Sequence, residues 1–195
     1  MNIFINAVTQ NWVLILFDKN RNIIAQKNIE ILGNESSKLV LLIDQFINEN
    51  KLKYTELENL VVVNWPGSFT WVRTIILAVN AINFIIKKNI TAISFFDLFE
   101  NYPIIKSSSR RDLFVKYKKY DKIEIVKNED FINFIKKSLF SKENTWLVYW
   151  DLSNNILSEQ IKVNSEINYE KIIKNITFQN NDKIEALYIK KPNIS

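Results

Sequence analysis

The sequence predicts an α/β fold, on three observations. Short runs of β-branched and aromatic residues, such as 12–17 and 60–63, alternate with longer segments whose apolar residues recur at helical spacing. Apolar residues make up 47% of the 195-residue chain and aromatic residues 13%, enough to build a real core. At the centre, a strand-like run enters Pro66-Gly67 and passes directly into a helical pattern, the strand-turn-helix junction of α/β units.

The elements follow in order. Ile3, Ile5 and Ala7 mark a first strand. The unbroken apolar run 12–17 predicts a second strand covered on both faces. Polar residues 18–22 form a hairpin turn into a third extended stretch, 23–31. Leu39, Leu42, Ile43, Phe46 and Ile47 are spaced for one face of a helix over 35–50. A strand at 60–63, a helix over 68–88 capped by Ser68 or Thr70, and a strand at 90–95 complete the first hundred residues. The order β-β-β-α-β-α-β fits one half of an actin-like ATPase (ASKHA, ribonuclease-H-like) α/β fold. Residues 1–101 are therefore expected to form an N-terminal subdomain and 102–195 a reduced C-terminal α/β subdomain. The second part is patterned less regularly, with short strands at 104–107, 112–117 and 123–126. A helix is expected over 128–140, with Glu129 and Asp130 in its first turn and Lys136 and Lys137 near its last. A strand at 145–152, a turn at Asn154-Asn155, a short helix at 169–176 and a strand at 186–190 follow. No internal repeat is visible in the sequence.

Composition excludes several chemistries. Without cysteine there is no disulfide framework or thiolate metal site, and without histidine there is no Ser-His-Asp or Cys-His nucleophile system and no usual zinc site. The two glycines, Gly33 and Gly67, stand alone, so no glycine-rich phosphate cradle can form. The N-terminus enters a strand pattern without a basic leader, and the longest apolar stretch, 75–86, is broken by Asn80 and Asn83 and is short for a bilayer. A soluble cytoplasmic protein with no membrane partner is expected. The net charge of +5 is spread over separated basic pairs, Lys87-Lys88, Arg110-Arg111, Lys118-Lys119, Lys136-Lys137 and Lys190-Lys191, which read as a solvated surface. Asp112 beside Arg110 and Arg111 reads as a charged turn, and Asp44 and Glu49 as the polar face of a helix.

In a chain this poor in glycine, Gly67 at the strand-to-helix junction marks a position where a side chain does not fit or φ is positive. Pro66 fixes the approach, Ser68 and Thr70 can accept from free amides at the helix start, and Arg73 sits one turn in. Arg73 is one of only four arginines amid many lysines, a sign that a planar, bidentate donor is needed.

Pro66-Gly67-Ser68-Phe69-Thr70-Trp71-Val72-Arg73 resembles the GPGSFTGxR signature of the TsaB (YeaZ) family, the subunit that accompanies TsaD in making threonylcarbamoyladenosine on tRNA. Glu35-Ser36-Ser37-Lys38 lies where the family has an HSER-like stretch, and Leu187-Tyr188-Ile189-Lys190 is similar to its PxYLR ending. Residues 107–114 fall where the family carries a DARxGEVY-like segment, echoed only by Asp112 and Phe114. The chain departs from the family at Ala7-Val8, where an Asp-Thr pair is usual, at Trp65 and Trp71, which replace glycines, and at Glu35, which replaces a histidine. Nucleotide-using relatives of the fold hold metal and phosphates with an acidic first strand and glycine-lined turns. Autonomous ATP hydrolysis is accordingly not expected.

The resemblance implies a non-catalytic scaffold that binds a TsaD-like catalytic subunit and supports threonylcarbamoyl transfer to an adenosine of tRNA. It implies no cofactor on this chain alone, with ATP and metal on the catalytic partner. It also implies a TsaE-like ATPase as a further partner, a homodimer as an alternative assembly, and tRNA reached indirectly. The helix over 68–88 is apolar nearly all round, so it is expected to be buried on more than one side. Leu41, Trp71, Val72, Ile75, Ile76 and Val79 are the expected partner interface. Two rival classes remain, a divergent actin-like ATPase or kinase and a basic tRNA-binding module.

Overall fold

The computed structural model describes residues 1–8, 11–30, 38–66, 69–100, 102–107, 112–131, 133, 147–148 and 167–185. The elements of the first sheet are β1 (Asn2–Asn6), β2 (Asn11–Phe17), β3 (Ile23–Glu30), β4 (Asn59–Trp65) and β5 (Asn89–Ser94). Helix α1 (Leu39–Glu49) lies between β3 and β4, and α2 (Phe69–Ile86) between β4 and β5. The strand order is β3-β2-β1-β4-β5. β1, β2 and β3 form an antiparallel meander, while β4 and β5 join β1 in parallel, each reached through a helix.

The β-β-β-α-β-α-β order expected from the sequence is the order observed. Side chains from Trp12 to Phe17 are all buried because the sheet is covered on both faces. On one face Trp12 meets Trp71 of α2 edge to face, ring centroids 6.4 Å apart. On the other, Phe4 meets Tyr169 and Phe17 stacks on Phe178. β3 is an edge strand, alternating half-buried and exposed residues, with Lys27 Nζ 2.7 Å from both Glu49 carboxylate oxygens. The turn before it is closed by Asp18, whose carboxylate accepts from the Asn22 backbone N–H and side-chain amide at 2.8 and 2.9 Å. Those bonds, the side-chain one first, hold the Asp18 carboxyl below its ordinary range.

The chain divides into two compact units, Met1–Phe95 with Tyr169–Ser195, and Phe96–Asn168. This corrects the expected division at 101/102: the chain returns to its first unit through helix α3 (Tyr169–Asn175) and the segment after it. The return is held chiefly by amides. Arg21 donates to the carbonyls of Ile173 and Ile176 at 3.3 and 3.0 Å, capping the C-terminal end of α3, and its guanidinium lies 4.0 Å over the Phe178 ring. Along the outer edge of β5, Ile90 N–H donates to Asn181 O at 2.8 Å, and Gln179 exchanges two 3.3 Å bonds with Ala92. Among the described residues, the open edge of β5 is thereby satisfied by the returning segment instead of a further strand.

The second unit contains β6 (Ile104–Ser107), β7 (Asp112–Lys116), β8 (Glu124–Lys127) and β9 (Leu147–Val148) in the order β8-β7-β6-β9. Again a three-stranded antiparallel meander adds a parallel strand beside its first member. Residues 128–131 are helical, in the place that α1 holds in the first unit. The repeat absent from the sequence is therefore present in the topology. Residue 133 is helical as well, while 132 and 134–140 of the expected helix, the turn at Asn154-Asn155 and the strand at 186–190 lie outside the described residues.

Candidate functional site

The signature segment starts where β4 ends. Trp65 and Pro66 are buried, joined by a cis peptide, and α2 begins at Phe69. Gly67 and Ser68 lie outside the described residues, as do the side chains of Phe69 and Thr70, and with them the expected cap and glycine turn. Arg73 is exposed one turn into the helix.

α2 has two unlike apolar faces. Val72, Ile75, Ile76, Val79 and Ile82 are buried in the chain's own core. Trp71 is half-buried against Trp12. This corrects the expected partner interface: Trp71, Val72, Ile75, Ile76 and Val79 already cover the sheet, whose β-branched upper face needs them. Of the six expected interface residues, Leu41 alone is exposed, at 54%.

The outer face is also apolar. Leu77, Phe84 and Ile85 are 70%, 83% and 79% exposed, and Val40 of α1 is 47% exposed beside Leu41. With Arg73 and Ala81, positions 73, 77, 81, 84 and 85 form one exposed stripe at helical spacing. Isolated exposed apolar side chains are ordinary, whereas a contiguous set on two adjacent helices marks a contact surface. Between the helices lies a cleft of about 600 Å³, lined by Val40, Leu41, Asp44, Tyr54, Ile82, Ile85 and Ile86. Its polar lining is a Tyr54–Asp44 hydrogen bond, and Asp44 also accepts from Asn48 Nδ2 at 3.0 Å. Burial first, and then the Asp44 carboxylate, push the Tyr54 phenol from its ordinary 10.0 up to about 12.

The sequence reading missed the role of two asparagines. Asn83 Oδ1 accepts from Lys88 N–H, and its Nδ2 donates to the carbonyls of Lys88 and Asp182 at 2.8 and 2.7 Å. Asn80 brackets Ile184 in the same manner, donating to its carbonyl and accepting from its N–H. Amide side chains inside an otherwise apolar helix were the available signal.

The end of β1 carries Ala7 and Val8 where the family resemblance has an Asp-Thr pair. Ala7 and Val8 are buried and offer no ligand atom. Asn6 donates its Nδ2 to the Tyr169 hydroxyl at 3.1 Å, while its Oδ1 is buried with no donor among the described residues.

No protein-family model matches the chain, and no curated protein matches it. Solved structures do. YeaZ from Pseudomonas aeruginosa superposes with a TM-score of 0.54 at 13% identity, over 66% of this chain and 67% of its own. A crystal structure of an uncharacterized protein with similarity to peptidase YeaZ from Pseudomonas aeruginosa gives 0.55 at 12% identity, with the same coverage. At such identities the likeness is one of fold, a mixed α/β architecture.

Proposed function

We propose that the chain is a non-catalytic subunit of the TsaB kind, docking through the outer face of α1 and α2 onto a TsaD-like protein that transfers threonylcarbamoyl to an adenosine of tRNA. The observation that carries this reading is the exposed apolar set Leu41, Val40, Leu77, Phe84 and Ile85 around the inter-helix cleft. A surface of that kind gains by burial in a protein partner, at about 25 cal/mol for each Å² of apolar area removed from water. The YeaZ-like fold and the PGSFT-x-V-R segment support the choice of a TsaD-like partner. The topology repeated in the two units favours the actin-like architecture, in which one chain holds two related halves.

In this reading the chain supplies surface, and ATP and metal belong to the catalytic partner. A TsaE-like ATPase joins the same complex, and tRNA is brought to the catalytic subunit. A second copy of the chain competes for the same face when the catalytic partner is absent. Co-expression with the TsaD-type protein of the same organism, followed by affinity capture on a tag carried by this chain, tests the proposal. Stoichiometric recovery of the catalytic subunit is expected, and its consistent absence overturns the reading. Calorimetry on the purified chain separates the rival class: micromolar ATP binding by the chain alone would identify an actin-like ATPase or kinase.

A further inference from the structure

The second unit carries a feature that the docking reading does not use. β7 and β8 are joined by a hairpin whose tip is a β-turn, closed by Asp121 N–H donating to Lys118 O at 3.2 Å. Lys119 and Tyr120 are its two central residues. Tyr120 is 90% exposed, and its ring meets the Lys119 ammonium, 5.6 Å from the centroid. Lys118, Lys119 and Lys122 are all exposed and form no ion pair among the described residues. The tip and its flanks, residues 116–127, hold five lysines against Asp121 and Glu124, so the turn carries a local excess of positive charge. The sequence pattern alone had made Lys118-Lys119 one dispersed pair among several.

A second aromatic group stands nearby. Lys116 lies between Asp97, at 4.0 Å, and the Tyr102 ring, 5.9 Å from its centroid. Burial, then Asp97 and then Tyr120, push the Tyr102 phenol up, which places Tyr120 within electrostatic reach of Tyr102. An exposed tyrosine ring set among ammonium groups that form no ion pair among the described residues, with a second ring nearby, supplies the elements of a stacking platform for bases flanked by contacts to phosphate. An anionic membrane would instead favour aliphatic or tryptophan side chains around the ring, and here its neighbours in sequence are Lys119, Asp121 and Lys122.

We infer that the β7–β8 hairpin tip binds single-stranded nucleic acid of the kind exposed in RNA loops, with Tyr120 stacking on a base and Lys118, Lys119 and Lys122 contacting the phosphates. This gives the chain a direct RNA contact that owes nothing to a protein partner, so it stands or falls separately from the docking face.

Fluorescence anisotropy with a labelled oligouridylate of about 12 nucleotides tests it on the full chain without any partner. Binding should weaken steeply between about 50 mM and about 200 mM salt. Replacing Lys118, Lys119 and Lys122 together by Gln should lower the slope of log K against log salt by about 2, at roughly 0.7 for each lost phosphate contact. Tyr120→Ala should weaken binding at least about fivefold, while Tyr120→Phe keeps it. The pair Lys87→Gln and Lys88→Gln, in the first unit, should leave the slope unchanged. A wild-type chain that does not bind at about 50 mM salt overturns the inference. So do a Tyr120→Ala variant that binds like wild type, a Lys87/Lys88 pair that costs as much as the hairpin set, and hairpin-dependent binding to phosphatidylserine vesicles in place of RNA. Photo-crosslinking of the unaltered chain to the same oligomer bearing 4-thiouridine gives a reading free of substitution effects. Adducts are expected within 116–127, and adducts confined to 1–95 contradict it.

Discussion

Asn83 stands in the middle of an apolar helix, yet its buried amide joins the end of α2 to the returning segment through three hydrogen bonds. Asn83→Ala should cost about 2–3 kcal/mol, because it strands buried backbone groups as well as losing their bonds. Urea unfolding followed by circular dichroism measures it. Tyr54 gives a second residue-level expectation. Its folded pKa of about 12 lies above its ordinary 10.0, so the stability it contributes is whole below about pH 10 and is lost as pH rises through about 12. Ultraviolet difference titration should find Tyr54 ionising late, at about pH 12, and Asp44→Asn should bring it down towards the ordinary value. The arginine signal also belongs at this scale. Scarcity of arginine drew attention to Arg73; Arg21, passed over in the sequence, carries a two-carbonyl, ring-stacked guanidinium whose carbonyl partners lie about 150 residues away.

At the scale of elements, period and punctuation carried the first sheet. The unbroken run of β2, the polar turn after it and the helical spacing in α1 each reflect a local rule that tertiary packing also obeys. The two faces of α2 were not separable in that way. An all-round apolar helix gives no angular contrast, so the core face was assigned to a partner and the outer residues Leu77, Phe84 and Ile85 were passed over. The distinction has an experimental consequence. Ile75→Ala should destabilise the fold by about 2–4 kcal/mol, because it opens a cavity in the core. Leu77→Glu with Ile85→Glu should change stability by less than about 1 kcal/mol, both side chains being in water already. Thermal unfolding of the two variants side by side distinguishes the faces.

For the whole molecule, β5's outer edge and one face of the first sheet are completed by residues 169–185, from the far end of the chain. A chain ending at Asn168 keeps all five strands of that sheet but loses the covers of Phe4 and Phe17. It should lose cooperative unfolding and expose apolar surface, read as dye binding and rapid proteolysis within 1–95. This return was not legible beforehand because a short helix and isolated asparagines carry no mark of their destination. The topology shared by the two units was hidden for a related reason: strand order and direction can repeat while side chains diverge.

The central claim is that the outer face of α1 and α2 is a docking surface for a TsaD-like catalytic subunit. Light scattering after size exclusion, on that subunit mixed with wild-type chain or with the Leu77→Glu, Ile85→Glu variant, addresses it most directly. A complex of defined stoichiometry is predicted for the wild type and separate components for the folded variant. A folded variant that still forms the complex with undiminished affinity would contradict the account.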